Sequence, residues 1–152
     1  MSQAVVRRVA LVLCLLAGVA EAHDWPRPFR CPPGRFFRTP QQVISDHIAA
    51  LATGNLDLVM CDYAENAEVV MPGTVLTGQD QIRVALGGFM SAFGGALPTF
   101  TSMTYGERIV LVTWQVFLPQ FSVPDGADTF TIRAGMIHVQ TVHATFAPPT
   151  TP

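Results

Sequence analysis

The chain has 152 residues, 49% of them hydrophobic, a formal net charge of −2 and no lysine. That is enough apolar material for one domain with its own core, which excludes a disordered tail, and an acidic balance argues against a nucleic-acid partner. Of the nine arginines, Arg27, Arg30, Arg35 and Arg38 crowd into one Pro-rich stretch, so the rest of the chain is more acidic still.

The first segment reads as an address and not as fold. "MSQAVVRRVALVLCLLAGVAEA" places Arg7 and Arg8 before an apolar run from Val9 to Val19 and ends on Ala20-Glu21-Ala22. This is the pattern of a secretory signal cleaved before His23. The run is shorter than the ~18 apolar residues a membrane span needs, so the mature chain is expected to be secreted or periplasmic and free of the membrane. Residues 23–38 form a Pro/Arg-rich arm, expected to be a solvated terminus with enough positive charge to meet an acidic partner. Cys31 in this arm and Cys61 further on remain after processing. An oxidising compartment would let them pair and tie the arm to the body. No Cys-x-x-Cys or His-x-x-x-His spacing points to a metal.

The folded domain is expected over residues 39–147, followed by a Pro/Thr tail, 148–152. Thr39-Pro40-Gln41-Gln42 is a capping box with proline at the first helical position, and Val43, Ile44, Ile48 and Leu51 then recur on one face until Gly54. Asn55 caps a second, short helix expected to run through Tyr63. Glu68 to Met71 is a strand by its β-branched residues, closed by Pro72-Gly73. A third helix spans Gln79 to Phe93, with Ile82, Leu86, Phe89, Met90 and Phe93 as its buried stripe. After Gly94-Gly95 the period changes to two. Strands are expected at Thr99 to Thr104, Arg108 to Leu118, Asp128 to Arg133 and Met136 to Phe146, with turns at Gly106, Pro124-Asp125-Gly126 and Ala134-Gly135. Helices first and an antiparallel meander last make an α+β fold, a strongly curved sheet packed on three helices and enclosing a pocket.

The segments "YAENAEVVMPG", "LTGQDQIR" and "DTFTIRAGMIHVQTVHATF" resemble the cone-shaped nuclear transport factor two superfamily, in particular its SnoaL-like and ketosteroid-isomerase-like branches. The resemblance covers roughly residues 40–146. It implies a cone fold with an interior pocket, and a range of functions from isomerases, cyclases and dehydratases to catalytically silent modules.

Position by position, the resemblance implies the following. Met71 stands where the isomerases carry the proton-shuttling aspartate, and a thioether cannot take up that proton. His47 falls at the oxyanion-hole tyrosine, and its helical spacing with Ile44, Ile48 and Leu51 agrees. Leu86 replaces one network tyrosine and Tyr63 matches another. Asp128 falls at the second acid, allowing for one residue fewer in the last hairpin. Gln140 is expected to be an interior amide on the cavity face of the last strand, sharing that face with Met136 and His138. Plainer readings stand beside these: a core histidine for His47, a turn-exit aspartate for Asp128, and core or interface for Trp114. His143 is expected on the outer sheet face, where a second copy could pair.

No phosphate loop, nucleophile elbow, dinucleotide fingerprint or metal constellation occurs, so no cofactor is expected. The expected function is therefore an exported protein with an apolar pocket for a small carbonyl-containing, polyketide-like or steroid-like molecule. It would act as an isomerase, cyclase or dehydratase through His47 and Asp128, with Tyr63, Met71, Leu86 and Gln140 against the ligand. The alternative is a noncatalytic ligand-binding or dimerisation module.

Overall fold

The computed structural model describes residues 29–149. The expected signal segment, the start of the arm and the last three residues lie outside the described residues. A 3₁₀ turn, Arg35–Phe37, precedes helices α1 (Pro40–Ala52) and α2 (Leu56–Met60). Strands β1 (Tyr63–Met71) and β2 (Thr74–Thr77) follow, then helix α3 (Gln79–Ala92) and strands β3 (Thr99–Tyr105), β4 (Ile109–Phe117), β5 (Ser122–Arg133) and β6 (Met136–His143).

Local chemistry explains the helix ends. The Thr39 hydroxyl accepts from the Gln42 amide at 3.3 Å, while the Gln42 side chain accepts from the Thr39 amide at 2.8 Å, the reciprocal capping box expected from the sequence. Asn55 Oδ1 accepts from the Leu58 amide at 3.1 Å. The second helix nevertheless stops at Met60, and Tyr63, expected at its end, already opens β1. The Ile137 amide bonds the Asp62 carbonyl at 2.8 Å, so pairing with β6 draws the chain out of the helix.

The sheet has six strands in the order β2-β1-β6-β5-β4-β3. The α+β cone architecture holds, but the sheet is mixed and not wholly antiparallel, because β1 lies parallel to β6. Helix α3 enters after the β1–β2 hairpin, as expected from a strand at Glu68 to Met71 ahead of the third helix. Helices α1 and α3 supply Val43, Ile44 and Ile82 to a core completed by Val59, Met60, Tyr63, Val110, Val112 and Ile137. On β4, Val110, Val112, Trp114 and Val116 point inward, whereas Ile109, Leu111 and Phe117 are exposed.

Of the four register shifts in the sheet, those in β5 and β6 correct the expected strand limits and phase. Pro124-Asp125-Gly126 is not a turn but lies within β5. Trp114 pairs with Gly126 and Val116 with Val123, so three steps on β5 oppose two on β4. The β4–β5 turn is instead Leu118 to Phe121, where the Leu118 amide bonds the Phe121 carbonyl at 2.9 Å. A bulge of this kind kinks and twists the strand. It also needs Gly126, since a Cβ there would stand 2.3 Å from the Trp114 indole. On β6 the extra residue is His138, because Ile132 pairs with Ile137 but Thr131 with Val139. The period-two expectation fails there: Ile137 is fully buried, and neither Met136 nor His138 lines the cavity with Gln140.

Candidate functional site

The open end of the cone holds a cavity of about 630 Å³, walled by α1, α3, the β1–β2 hairpin and the inner faces of β4, β5 and β6. Its lining is mostly apolar, with Leu51, Met71, Leu86, Phe89, Phe93, Phe130 and Phe146 among the wall residues. His47, Asp128 and Gln140 also reach it. Of the residues singled out from the sequence, His47, Met71, Leu86, Asp128 and Gln140 thus meet at one cavity. Tyr63 is fully buried behind it, touching the site through Gln140. His138 and His143 do not line it.

Polar groups on the sheet side form one chain. The Tyr63 hydroxyl donates to Gln140 Oε1. Gln140 Nε2 in turn donates to Asp128 Oδ2 at 2.9 Å, and Trp114 Nε1 donates to Asp128 Oδ1 at 3.2 Å. Trp114, read from the sequence only as core or interface, is therefore also a wall of the cavity and a partner of its acid. Asp128 retains some exposed surface because the cavity opens to solvent, yet protein surrounds its carboxylate. Burial pushes its pKa up to about 6, against the lowering influence of the bonds from Trp114 and Gln140 and the charge of His47. Burial, followed by the nearby charges of Asp128 and Asp62, raises the Tyr63 phenol far above its ordinary value, so it serves as a neutral donor.

On the helix side His47 does not pair with Asp128. Its Nδ1 meets Asp62 Oδ2 at 3.3 Å, and its ring packs edge-on against Tyr63 and Phe130, with centroids 5.5 and 5.9 Å away. Among the described residues its Nε2 has no protein hydrogen bond. Asp62 itself is fully buried and was missed from the sequence, where it is one acid among many. Its Oδ1 accepts from Arg35 Nη1, and from Arg38 Nη1 at 2.7 Å. Arg38 also bonds Asp46 Oδ2 at 3.0 Å and the Gly135 carbonyl at 2.8 Å. Two arm arginines expected in solvent are thus folded inward. Burial alone would raise the Asp62 pKa, but bonds from His47 and Arg38 and the charges of His47 and Arg35 outweigh it and hold the carboxyl below its ordinary range. Gly135 is required at this contact, because a Cβ there would stand 2.0 Å from the Arg35 carbonyl oxygen. The arm is further tied by a disulfide between Cys31 and Cys61, whose Cα atoms are 5.6 Å apart.

This arrangement can hold a neutral imidazole with its lone pair free. If Nδ1 carries the proton and donates it to Asp62, Nε2 is left as an acceptor next to an apolar cavity. Across the same space stands an acid titrating close to neutrality. Among the described residues no group of His, Cys, Asp and Glu gathers with the spacing of a metal site.

The fold is widespread among solved structures. A protein of unknown function from Cytophaga hutchinsonii, described as NTF2-like, aligns with a TM-score of 0.59 and 13% identity over 69% of this chain and 88% of its own. The epoxide hydrolase/cyclase-like enzyme SalBIII, described in connection with pyran ring formation in the polyether salinomycin, aligns with a TM-score of 0.62 and 15% identity over 71% of this chain and 94% of its own. A protein from Sinorhizobium meliloti described as a candidate polyketide cyclase gives a TM-score of 0.56 and 21% identity over 67% and 94%. At such identities the likeness is one of fold. No curated protein matches the sequence. The SnoaL-like domain model matches residues 44–140, from the middle of α1 to Gln140 on β6, and the chain therefore belongs to the SnoaL-like domain family.

Proposed function

We propose that this SnoaL-like domain is an exported, cofactor-free acid/base enzyme of the isomerase, cyclase or dehydratase kind. Its substrate would be a small, mostly apolar carbonyl compound of the polyketide or steroid type. One observation carries the reading: two ionisable groups in opposite settings, His47 backed by Asp62 and Asp128 raised by burial, face one apolar cavity. His47 Nε2 takes the proton from the carbon beside the carbonyl. Protonated Asp128 donates a hydrogen bond to the carbonyl oxygen as it gains charge. The resulting enolate can take its proton back at another carbon, which is isomerisation. It can also add to a second carbonyl, or expel a β-hydroxyl as water, with the His47 imidazolium supplying the proton in either case. The large cavity and its aromatic walls, Phe89, Phe93, Trp114, Phe130 and Phe146, suit a flat, largely apolar molecule.

Met71 favours a second reading, a noncatalytic binding module, since it puts an apolar side chain on the wall where the resembling isomerases have their base. Proton exchange at carbon separates the two. A steroid enone and an aromatic β-ketone are incubated with the protein in deuterated buffer and followed by NMR. Catalysis predicts exchange faster with the wild type than with His47→Ala or Asp128→Asn by roughly 10²-fold or more. Binding of either probe with equal exchange rates in all three proteins excludes the enzyme reading and leaves the binding module.

A further inference from the structure

We propose that the N-terminal arm is a positioning element of the site, and that the Cys31–Cys61 bond keeps His47 in the tautomer a base requires. The proposal rests on the reading of His47 as the base. Cys61 immediately precedes Asp62, so the disulfide fixes the arm beside the one carboxylate that, among the described residues, touches His47. Arg35 and Arg38 both bond Oδ1 of that carboxylate, which leaves Oδ2 directed at Nδ1. The cluster is charge-balanced without His47, since Arg38 also pairs with Asp46 and two guanidiniums thus face two carboxylates. The other titratable groups facing His47 are Tyr63 beside it and Asp128 across the cavity. With the arm in place, Oδ2 of Asp62 selects the tautomer of the neutral ring that carries its proton on Nδ1 and leaves Nε2 bare.

Little apolar burial holds the described part of the arm. None of Arg35, Phe36 and Phe37 is buried, and the two phenylalanines are 66% and 91% exposed. The segment is retained by the disulfide, by the two arginines on Asp62, and by Arg38 on Asp46 and on the Gly135 carbonyl. A dithiol that passes two electrons and two protons to the disulfide gives two thiols and becomes a disulfide itself. The tether is then gone, Asp62 loses its fixed partners and can turn Oδ2 away from Nδ1, and the ring proton is free to move to Nε2. Nε2 is then no longer free to accept one.

The test reads the ring and not turnover, so it can fail without touching the reading of His47 as base, and the reverse. Imidazole ¹⁵N spectra are recorded for the oxidised protein, for protein reduced with dithiothreitol, and for Arg35→Gln/Arg38→Gln with the disulfide intact. The His47 signals are identified by their loss in His47→Gln, and near-UV circular dichroism reports on the fold. Expected is a bare Nε2 in the oxidised wild type, and loss of that bare-nitrogen signal in whichever of the other two preparations remains folded. A bare Nε2 that persists in a folded reduced or doubly substituted protein overturns the proposal. Unfolding of both preparations overturns it as well, because the arm would then serve stability alone.

Discussion

Replacing Asp128 with asparagine should change how stability depends on pH. In the folded protein burial raises the Asp128 pKa to about 6, whereas an unfolded aspartate titrates near 3.8. Between these values the folded state holds a proton that the unfolded state has released, so stability falls as pH rises. The contribution is fully present below about 3.8 and is lost through about 6. The difference of roughly two pKa units corresponds to about 3 kcal/mol at most, since one unit is about 1.4 kcal/mol. Solvent at the cavity mouth screens part of it, so about 1 to 3 kcal/mol is expected. Asp62 does not interfere, because its lowered pKa confines its own effect to more acid solution. Urea unfolding of wild type and Asp128→Asn at pH 4.5, 5.5, 6.5 and 7.5 isolates the term. His138 and His143 do not line the cavity and are common to both proteins, whereas His47, whose charge acts on Asp128, contributes to the difference as part of the Asp128 effect. Asparagine can still accept from Trp114, and the Gln140 amide can turn over because the Tyr63 hydroxyl can accept as well as donate. The variant should therefore gain on the wild type as pH rises. Two curves that run parallel across the range would show that Asp128 is not an acid perturbed by its enclosure.

Three further outcomes are expected. Asp62→Asn removes the charge that Arg35, Arg38 and His47 share, and breaking a buried ion pair in this way should cost about 3 kcal/mol in chemical unfolding near pH 7. Because its pKa is lowered, the wild-type contribution is present above 3.8 and is lost as pH falls through the folded value, so the penalty should shrink in acid. Thr39→Ala should lower stability by about 1 kcal/mol through loss of the α1 cap, read from the urea midpoint at unchanged slope. If residues 1–22 are an export signal, mass spectrometry of the exported protein should find His23 at its amino terminus, and retention of Met1 would count against export.

Local patterns in the sequence carry their own physics, and those parts were legible. The capping box sets the start of α1, the α3 stripe from Ile82 to Phe93 marks a cavity wall, and helical spacing puts His47 among Ile44 and Leu51. Each depends on residues within a few positions of one another, where backbone geometry alone brings side chains onto one face. Tertiary structure decided what depends on distant partners. Asp62 is ordinary in sequence, and becomes the hub of the helix side only when arginines 24 and 27 positions away fold over it. Pro124-Asp125-Gly126 has the chemistry of a turn, but pairing with β4 and the Trp114 ring above Gly126 make it a bulge. Tyr63 begins a strand because β6 supplies its backbone partner, and His138 shifts the phase of β6 by one residue. Local rules assign a residue to a face; which charges meet in the interior is decided only when separate elements pack, since burying an unpaired charge costs far more than any local preference.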